Sequence, residues 1–442
     1  MPEDVTISRR TVRELGNVEG NLVVDGGTVK AEGAEGIINV SGSTECNDDC
    51  EFQGSLVTPV LSGRRGNVSV TGDLNVERSI KLRRGRLEVG GDLNSGNVDV
   101  GSKIEIDGDM TVDEVRAGGS LKVHGKSKAS SLNVGGSYVA DSDVDVGDID
   151  VGGSVKIRGA HKGENINTGG SLTIDGDVEV GSIDAGGSVT LESNVMAVEI
   201  DAGGSTRLSG GEVRGKIRSG GSLKSSRHLK FDDIGVGGTV SLSGGEGGSV
   251  KVGGTLKSDG DLSFDEIDVG GTVKIDGNAA GNTLDVGGTL TVQGDFMLTN
   301  DLKVGGKADI IGNLKAKSVS VGGKVEAYQV EAEEEITTSV LRTVKGAKAD
   351  RIEIGRRGEA QGPLIARSVM IRSRGRVEDI HAEEVHIRSN SRVGSIYADR
   401  IEVESGCRIR GEVKYTGSLD AESGVEFSRE PEKTEKLPSP PL

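Results

Sequence analysis

The sequence lacks tryptophan and contains little aromatic residue, proline or cysteine. Its 442 residues include no Trp, 4 Tyr and 5 Phe, and the hydrophobic fraction is 33%. These values exclude a large globular core of aromatic side chains, so we expect small aliphatic side chains to form the core. Proline is confined to Pro2, Pro59, Pro363 and the last twelve residues. A chain that avoids residues without an N–H group is typical of extensively paired strands.

Three further features bear on location and partners. The 3 cysteines do not form a disulfide framework. No run of 18 apolar residues occurs, and the first ten residues have no apolar core that would mark a signal peptide. The net charge of −17 is spread along the chain, which argues against general nucleic-acid binding. Together these features predict a cytoplasmic protein.

Glycine is abundant, with 72 residues, and it marks a short repeat. The unit is clearest at residues 183–191, where it reads I-x-V/A-G-G-S/T-V/L-x-I/L. Most successive units are 17 residues apart. That period is too short for helical repeats and fits one turn of a β-solenoid. The first glycine of the unit falls at Gly118, Gly135, Gly152, Gly169, Gly186, Gly203, Gly220, Gly237, Gly253, Gly270, Gly287, Gly305 and Gly322.

Within each unit, three pairs of apolar residues alternate with polar ones, as Val189 and Leu191 do around Thr190. Alternation with period two indicates a strand with one buried face. The sequence therefore predicts an all-β fold, a single-stranded β-helix of triangular cross-section. We expect about 17 residues per turn and roughly twenty turns. The paired glycines are expected to form a corner with positive φ.

The repeat divides the chain into four segments. Residues 1–66 are predicted to form an irregular N-terminal cap with an inserted loop around Cys46 and Cys50. Residues 67–331 carry the glycine-pair turns, and residues 332–427 carry a variant with A-x-x-I/V-x-I/V. Residues 428–442 are polar and proline-rich, which predicts a disordered tail. The 11-residue step between Gly90 and Gly101 does not fit the period.

The third face of the solenoid is imperfect at two turns. His161 and Gly163 occupy one predicted inward pair, and Glu212 and Arg214 occupy another. A local bulge that turns these residues outward is one interpretation, and a ligand site is the other.

The variant turns resemble the bactofilins, a family of polymer-forming cytoskeletal proteins. The resemblance rests on A-D-R-I-E-I from Ala349, G-x-x-x-G-P-L-I-A from Gly358, V-x-x-I-x-A from Val377 and V-G-S-I-Y-A from Val393. It implies a right-handed β-helix that assembles end to end into filaments without a nucleotide. This chain is several times longer than typical bactofilin cores. It also lacks the short apolar N-terminal segment of many bactofilins, which leaves membrane attachment open.

Residues for catalysis, cofactors or metals are not evident. The turns are uniform, no phosphate-binding G-x-x-x-x-G-K-[ST] loop occurs, and the five histidines share no column, so we expect no enzyme and no cofactor. Cys46 and Cys50 lie four residues apart without a second pair of ligands, whereas structural zinc needs four. Free thiols are the simpler interpretation, and a local disulfide or a partial metal site is the other.

Arginines cluster at successive corners of the variant turns. Stacked guanidinium groups suit carboxylate or phosphate, including lipid head groups. Residues 349–413 also contain 12 Arg against 11 Asp or Glu, so a solvated ladder that alternates with acidic neighbours is the alternative. The candidate residues of this anion-facing ladder are Arg356, Arg357, Arg372, Arg374 and Arg388.

The leading functional hypothesis is a filament subunit that scaffolds cell shape or positions partner proteins. We expect assembly with itself, end to end, through Val425 and Phe427 in the last turn. Other cytoskeletal or envelope proteins are candidate partners, and a location at the inner face of the membrane would then depend on them. The alternative is a monomeric solenoid that acts as a binding or recognition module.

Overall fold

The computed structural model describes residues 3–441, and these residues contain strands and turns but no helix. They form parallel strands wound into a β-solenoid, which confirms the predicted fold class. None of the described residues forms a helix of the length and hydropathy needed to cross a membrane. The chain divides into two compact units, the first ending at Ser226 and the second beginning at Arg227.

The first unit contains strands β1 to β29. They begin with β1 Val5–Ile7, β2 Val12–Leu15, β3 Asn17–Val18, β4 Leu22–Val24, β5 Gly27–Ala31, β6 Ile37–Val40, β7 Thr44–Cys46, β8 Cys50–Gln53, β9 Ser55–Gly63, β10 Val68–Val70, β11 Leu74–Leu82, β12 Leu87–Val89, β13 Leu93–Val100, β14 Ile104–Ile106 and β15 Met110–Ala117. They continue with β16 Leu121–Val123, β17 Ser127–Val134, β18 Tyr138–Ala140, β19 Val144–Val151, β20 Val155–Ile157, β21 His161–Lys162, β22 Asn165–Thr168, β23 Leu172–Ile174, β24 Val178–Ala185, β25 Val189–Leu191, β26 Val195–Ala202, β27 Thr206–Leu208, β28 Gly211–Ser219 and β29 Ser222–Ser225.

The second unit contains strands β30 to β50. They begin with β30 Leu229–Val236, β31 Thr239–Leu242, β32 Gly245–Val252, β33 Thr255–Ser258, β34 Leu262–Val269, β35 Thr272–Ile275, β36 Ala279–Val286, β37 Thr289–Val292, β38 Phe296–Leu298, β39 Asp301–Val304 and β40 Lys307–Ile310. They continue with β41 Asn313–Gln361, β42 Leu364–Ile371, β43 Arg376–Val377, β44 Ile380–Ile387, β45 Arg392–Val393, β46 Ile396–Val403, β47 Arg408–Ile409, β48 Val413–Ala421, β49 Glu426–Phe427 and β50 Glu432–Lys433.

Each regular turn buries three pairs of side chains, as the alternation predicted. In the turn that contains β18 and β19, the inward residues alternate with outward ones along both strands. Equivalent residues of successive turns lie directly opposite one another, so Ile183, Ile200 and Ile217 form one column with at most 1% exposure. The core is therefore a set of aliphatic columns, and each side chain packs mainly on its counterparts one turn away.

The number of turns is about 25, higher than the predicted twenty. The difference arises partly at the N-terminus, where residues 5–63 already form parallel strands. The segment around Cys46 and Cys50 is part of β7 and β8, not an inserted loop. Corners there hold additional residues, because the step from Asn21 to Ser43 is 22 residues against the usual 17. Strand pairing tolerates such corners, which hide the period in the sequence.

The predicted 11-residue step between Gly90 and Gly101 has a simple explanation. The N–H group of Gly90 donates to Val70 O, whereas that of Gly101 donates to Leu82 O. The two glycines therefore lie at different corners of the same turn and are not equivalent.

Glycine at the repeated corner is required by close packing, not by positive φ. None of the first glycines of the unit is among the described residues with positive φ, so that expectation was wrong. A β-carbon at Gly186 would instead lie 2.5 Å from the carbonyl oxygen of Gly169, one turn earlier. The turns approach each other too closely at this corner to accept a side chain.

Aspartates form a second arrangement that is repeated between turns, at the corner that follows Gly72, Gly91 and Gly108. The backbone N–H of Asp92 donates to Asp73 Oδ1 at 2.9 Å, and that of Asp109 donates to Asp92 Oδ1 at 2.8 Å. Each carboxylate thereby satisfies a corner N–H of the next turn. This bonding explains the recurring Gly-Asp pair in the sequence, and it assigns these acidic residues a structural role.

The two irregular turns of the third face have different structures. At residues 211–213 the register places Gly211 opposite Val195 and Val213 opposite Ala197, so Glu212 points outward as the bulge interpretation predicted. That interpretation was wrong for His161. The register puts His161 between Val144 and Val178 in an inward column, and its side chain is buried.

We predict that Gly322→Ala destabilises its turn. A β-carbon there would lie 2.5 Å from Gly305 O, so we expect a cost of about 1–3 kcal/mol from local overpacking. Hydrogen exchange of the adjoining turns measures it. The matched control is Gly235→Ala, because a β-carbon at Gly235 would have no heavy atom within 4 Å. Equal protection in both variants would refute the close-packing explanation.

We predict a pH-dependent loss of local stability around His161. Burial lowers the pKa of His161 to about 4. The unfolded segment takes up a proton near pH 6.5 and the folded one does not, so stability is lost as the pH falls from about 6.5 towards 4. The full loss is about 3 kcal/mol. Hydrogen exchange of residues 144–180, corrected for intrinsic rates, should show it in the wild type and not in His161→Leu; the same pH dependence in both proteins would exclude His161 as its source.

Candidate functional site

The C-terminal end of the second unit is where the aliphatic columns stop. One column contains Val377, Val393, Ile409 and Phe427, which are paired in register by β43, β45, β47 and β49. Val393 and Ile409 are each 1% exposed, whereas Phe427 is only partly buried. The last member of the column therefore presents an aromatic face that no further turn covers.

The other columns end in the same way. Leu419 follows Ile401 in register, and it is partly exposed where Ile401 is 1% exposed. Val425 precedes β49 and is also partly exposed. The sequence-based candidates Val425 and Phe427 thus lie in the last turn, next to Leu419 and Ala421, which the sequence analysis did not single out. We call these four residues the apolar end.

The segment after Phe427 extends the ladder further than the sequence predicted. β50 pairs with β48 through Lys414 opposite Glu432 and Tyr415 opposite Lys433. An ion pair of 2.8 Å joins Arg429 to Glu412. Residues 428–434 are therefore held along the first half of β48. The second half of β48 and β49 pair with the preceding turn, and their outer edges have no partner strand in the described residues. Of the predicted tail, Leu442 lies outside the described residues.

The N-terminal turn of the first unit buries most of its inward apolar residues. In the first turn of the first unit, the inward residues Ile7 and Val18 are 1% and 3% exposed. Val12, which is 58% exposed, belongs to a strand that faces solvent along most of its length. Val5, which lies opposite the buried Leu22, is partly exposed there, so both ends carry partly exposed inward residues, and the C-terminal turn carries more of them.

The five predicted ladder arginines separate into two groups. Arg372 Nε donates to Glu353 Oε1 at 2.7 Å, and Arg388 forms an ion pair with Glu404. Arg372 and Arg388 therefore fit the alternative interpretation, a solvated ladder in which each arginine pairs with an acidic neighbour. Arg356, Arg357 and Arg374 are exposed, and none of them has a carboxylate partner within the described part of the chain.

Two of these unpaired arginines have strained backbones. Arg357 has φ of 59° and Arg374 has φ of 67°, both in the left-handed region. Equivalent corners of later turns use Asn390, Gly406 and Gly424, which tolerate this conformation better. An arginine in this position costs about 1–3 kcal/mol. The corner therefore accepts arginine, but the left-handed backbone conformation reduces its stability.

Sequence reasoning missed a second arginine column on the adjoining face. Arg376, Arg392 and Arg408 open β43, β45 and β47 and lie directly opposite one another. The signal was present as R-V, R-V and R-I at intervals of 16 residues. The column becomes visible only when residues one turn apart are compared.

The cysteines are free and buried, which agrees with the simpler interpretation of Cys46 and Cys50. The hydrogen bond between the two thiols raises the pKa of Cys46 and lowers the pKa of Cys50. Burial raises the pKa of Cys407, whose Sγ donates to Arg388 O at 3.2 Å. Among residues 3–441, no group of three or more His, Cys, Asp or Glu side chains is arranged to hold a metal ion.

Comparisons with known proteins do not extend this description. No family model, no curated protein and no solved structure matches the chain.

Proposed function

We propose that the chain is a structural, polymer-forming protein that assembles with itself end to end and scaffolds other proteins, as the bactofilin resemblance implies. The observation that carries the proposal is the apolar end, where Leu419, Val425 and Phe427 are partly exposed although their columns are otherwise buried. An exposed half-core beside unpaired strand edges is a template for association.

The geometry of one end favours pairing with an identical end. The same surface on two molecules can meet about a twofold axis, which buries the apolar residues of both and closes the contact. The polar rim is compatible with that contact, because Arg408 and Glu426 form an ion pair of 2.8 Å and neutralise each other. A cytoplasmic setting is part of the proposal, and it is supported by three cysteines that are all free.

A monomeric recognition module is the second candidate function. The observation that favours it is the set of exposed arginines without carboxylate partners in the described variant turns, including Arg356, Arg357 and Arg374. Under that function the chain would remain single, and the partner would bind along the side of the solenoid.

We predict that Phe427→Arg leaves the solenoid folded and shortens or abolishes filaments. A charge buried at the contact without a partner costs about 1–3 kcal/mol or more. End-to-end affinity should then fall by about tenfold or more. Filament length in negative-stain micrographs is the measurement, with far-UV circular dichroism to verify the fold.

The matched control is Ser428→Arg, which adds the same charge at the next, exposed position. It should form filaments of wild-type length. Filaments of full length from folded Phe427→Arg would place the contact elsewhere. Single particles from the wild type, over a wide range of concentration, would favour the recognition module.

A further inference from the structure

One column of the second unit contains three arginines in register, and the central one has no neighbouring carboxylate in that column. Arg376, Arg392 and Arg408 face each other across neighbouring parallel strands, about 4.8 Å apart per turn. Carboxylates bound the column at both ends: Glu359 lies directly opposite Arg376, and Glu426 lies 2.8 Å from Arg408. Arg392, in the middle, has no carboxylate partner in the described residues. Like charges directly opposite each other destabilise a sheet.

The same unit shows how such columns are normally compensated. Lys257 lies opposite Lys274, and Lys307 lies opposite Lys324. Each of these lysines forms an ion pair with a carboxylate two residues further along its own strand. The four pairs are Lys257–Asp259, Lys274–Asp276, Lys307–Asp309 and Lys324–Glu326. The position two residues beyond Arg392 is Gly394, and that beyond Arg408 is a further arginine, Arg410. Arg376 has Glu378 at that position and Glu359 directly opposite it, and Arg408 pairs with Glu426. Within the column, compensation is therefore absent at Arg392.

Three arginines of these turns line a groove on the surface. Its volume is about 510 Å³, which lies within the usual range for small-molecule sites, and Arg376, Arg392 and Arg410 are on its walls. The buried side chains of Val377 and Val393 form the floor. The groove thus combines a defined shape with three guanidinium groups.

The carboxylates of the groove are already engaged. Glu359 Oε1 accepts a hydrogen bond from Gln361 Nε2 at 2.8 Å, in addition to its contact with Arg342. Glu378 accepts the backbone N–H of Gly362 at 2.8 Å, and Asp379 accepts that of Ser395 at 2.9 Å. These bonds fix the positions of the three acidic side chains, which also line the groove, and none of them forms an ion pair with Arg392 or Arg410 in the described residues.

We propose that this groove binds a compact, multivalent phosphate, with Arg376, Arg392 and Arg410 as its donors. Guanidinium groups bind phosphate through paired hydrogen bonds, and their spacing of one strand allows one ligand to contact two turns. The net charge of −17 opposes the approach of long polyanions more than that of a small ion. The groove lies on the side of the solenoid, so the proposal does not depend on end-to-end assembly.

The first test is titration of the full-length protein with pyrophosphate, followed by isothermal calorimetry at low salt. We expect saturable binding, and we expect Arg392→Gln to weaken it by about tenfold or more, as for loss of a charge-assisted hydrogen bond. The matched control is Arg400→Gln, because Arg400 is exposed and already paired with Glu384. Its affinity for pyrophosphate should equal that of the wild type. No binding of millimolar pyrophosphate by the folded wild type would overturn the proposal.

A second arm distinguishes a soluble phosphate from a lipid head group. Vesicles of phosphatidylcholine with phosphatidic acid are sedimented with the protein, in the presence and absence of pyrophosphate. Binding to vesicles without any binding of free pyrophosphate would overturn the proposal in favour of a lipid surface. Binding of pyrophosphate, with vesicle binding absent or displaced by pyrophosphate, supports it.

The third measurement separates ligand binding from a structural role. Without ligand, Arg392→Gln should slow hydrogen exchange in β43, β45 and β47 by about two- to fivefold, because it removes like-charge repulsion. Pyrophosphate should protect the same strands in the wild type and not in the variant. Faster exchange in the ligand-free variant would show that Arg392 supports the fold, and it would overturn its assignment as a donor.

Discussion

The parallel backbone ladder between successive turns is the constraint on which the rest of the structure depends. Each turn donates and accepts hydrogen bonds along the direction of stacking, so equivalent residues are placed one strand spacing apart. A side chain at one position of the repeat therefore has the side chains at the same position of the adjoining turns as its neighbours. At the glycine corner the separation is so small that the Gly169 carbonyl excludes a side chain at Gly186. At the aspartate corner the same separation lets Asp73 accept the N–H of Asp92.

Columns make the energetics of this fold additive and local. An aliphatic column stabilises every turn that joins it, whereas an unfavourable residue affects mainly the two turns beside it. His161 is a core residue of this kind, since it replaces an aliphatic side chain between Val144 and Val178. A column of like charge differs, because each added turn increases the repulsion unless a counter-charge is supplied. The lysine columns supply it two residues further along the chain, and the arginine column does not supply it at Arg392, which has Gly394 at that position.

The period and the alternation of apolar residues predicted the solenoid and its three inward pairs, because both follow from the ladder and are visible in one dimension. The turns before Gly63 were not predicted, since their corners differ in length and only the pairing reveals them. The reason for the paired glycines was misjudged, because φ is a local property and the close approach involves residues one turn apart. The structure places the sequence-based candidate Phe427 in register with Ile409, and its role in an end-to-end contact stays a prediction. The column through Arg392 required the register between strands.

The end and the side of the second unit differ in how their charged side chains are paired. The end must present apolar residues and unpaired edges without net repulsion, because two copies would bring identical surfaces together. The ion pairs of Arg408 with Glu426 and of Arg429 with Glu412 meet that demand by neutralising the rim within the last turns. The side face, one turn earlier, keeps Arg392 without a partner in the described chain. The arginine column is thus bounded by Glu359 and Glu426, and Arg392 between them is the member that has arginines on both sides.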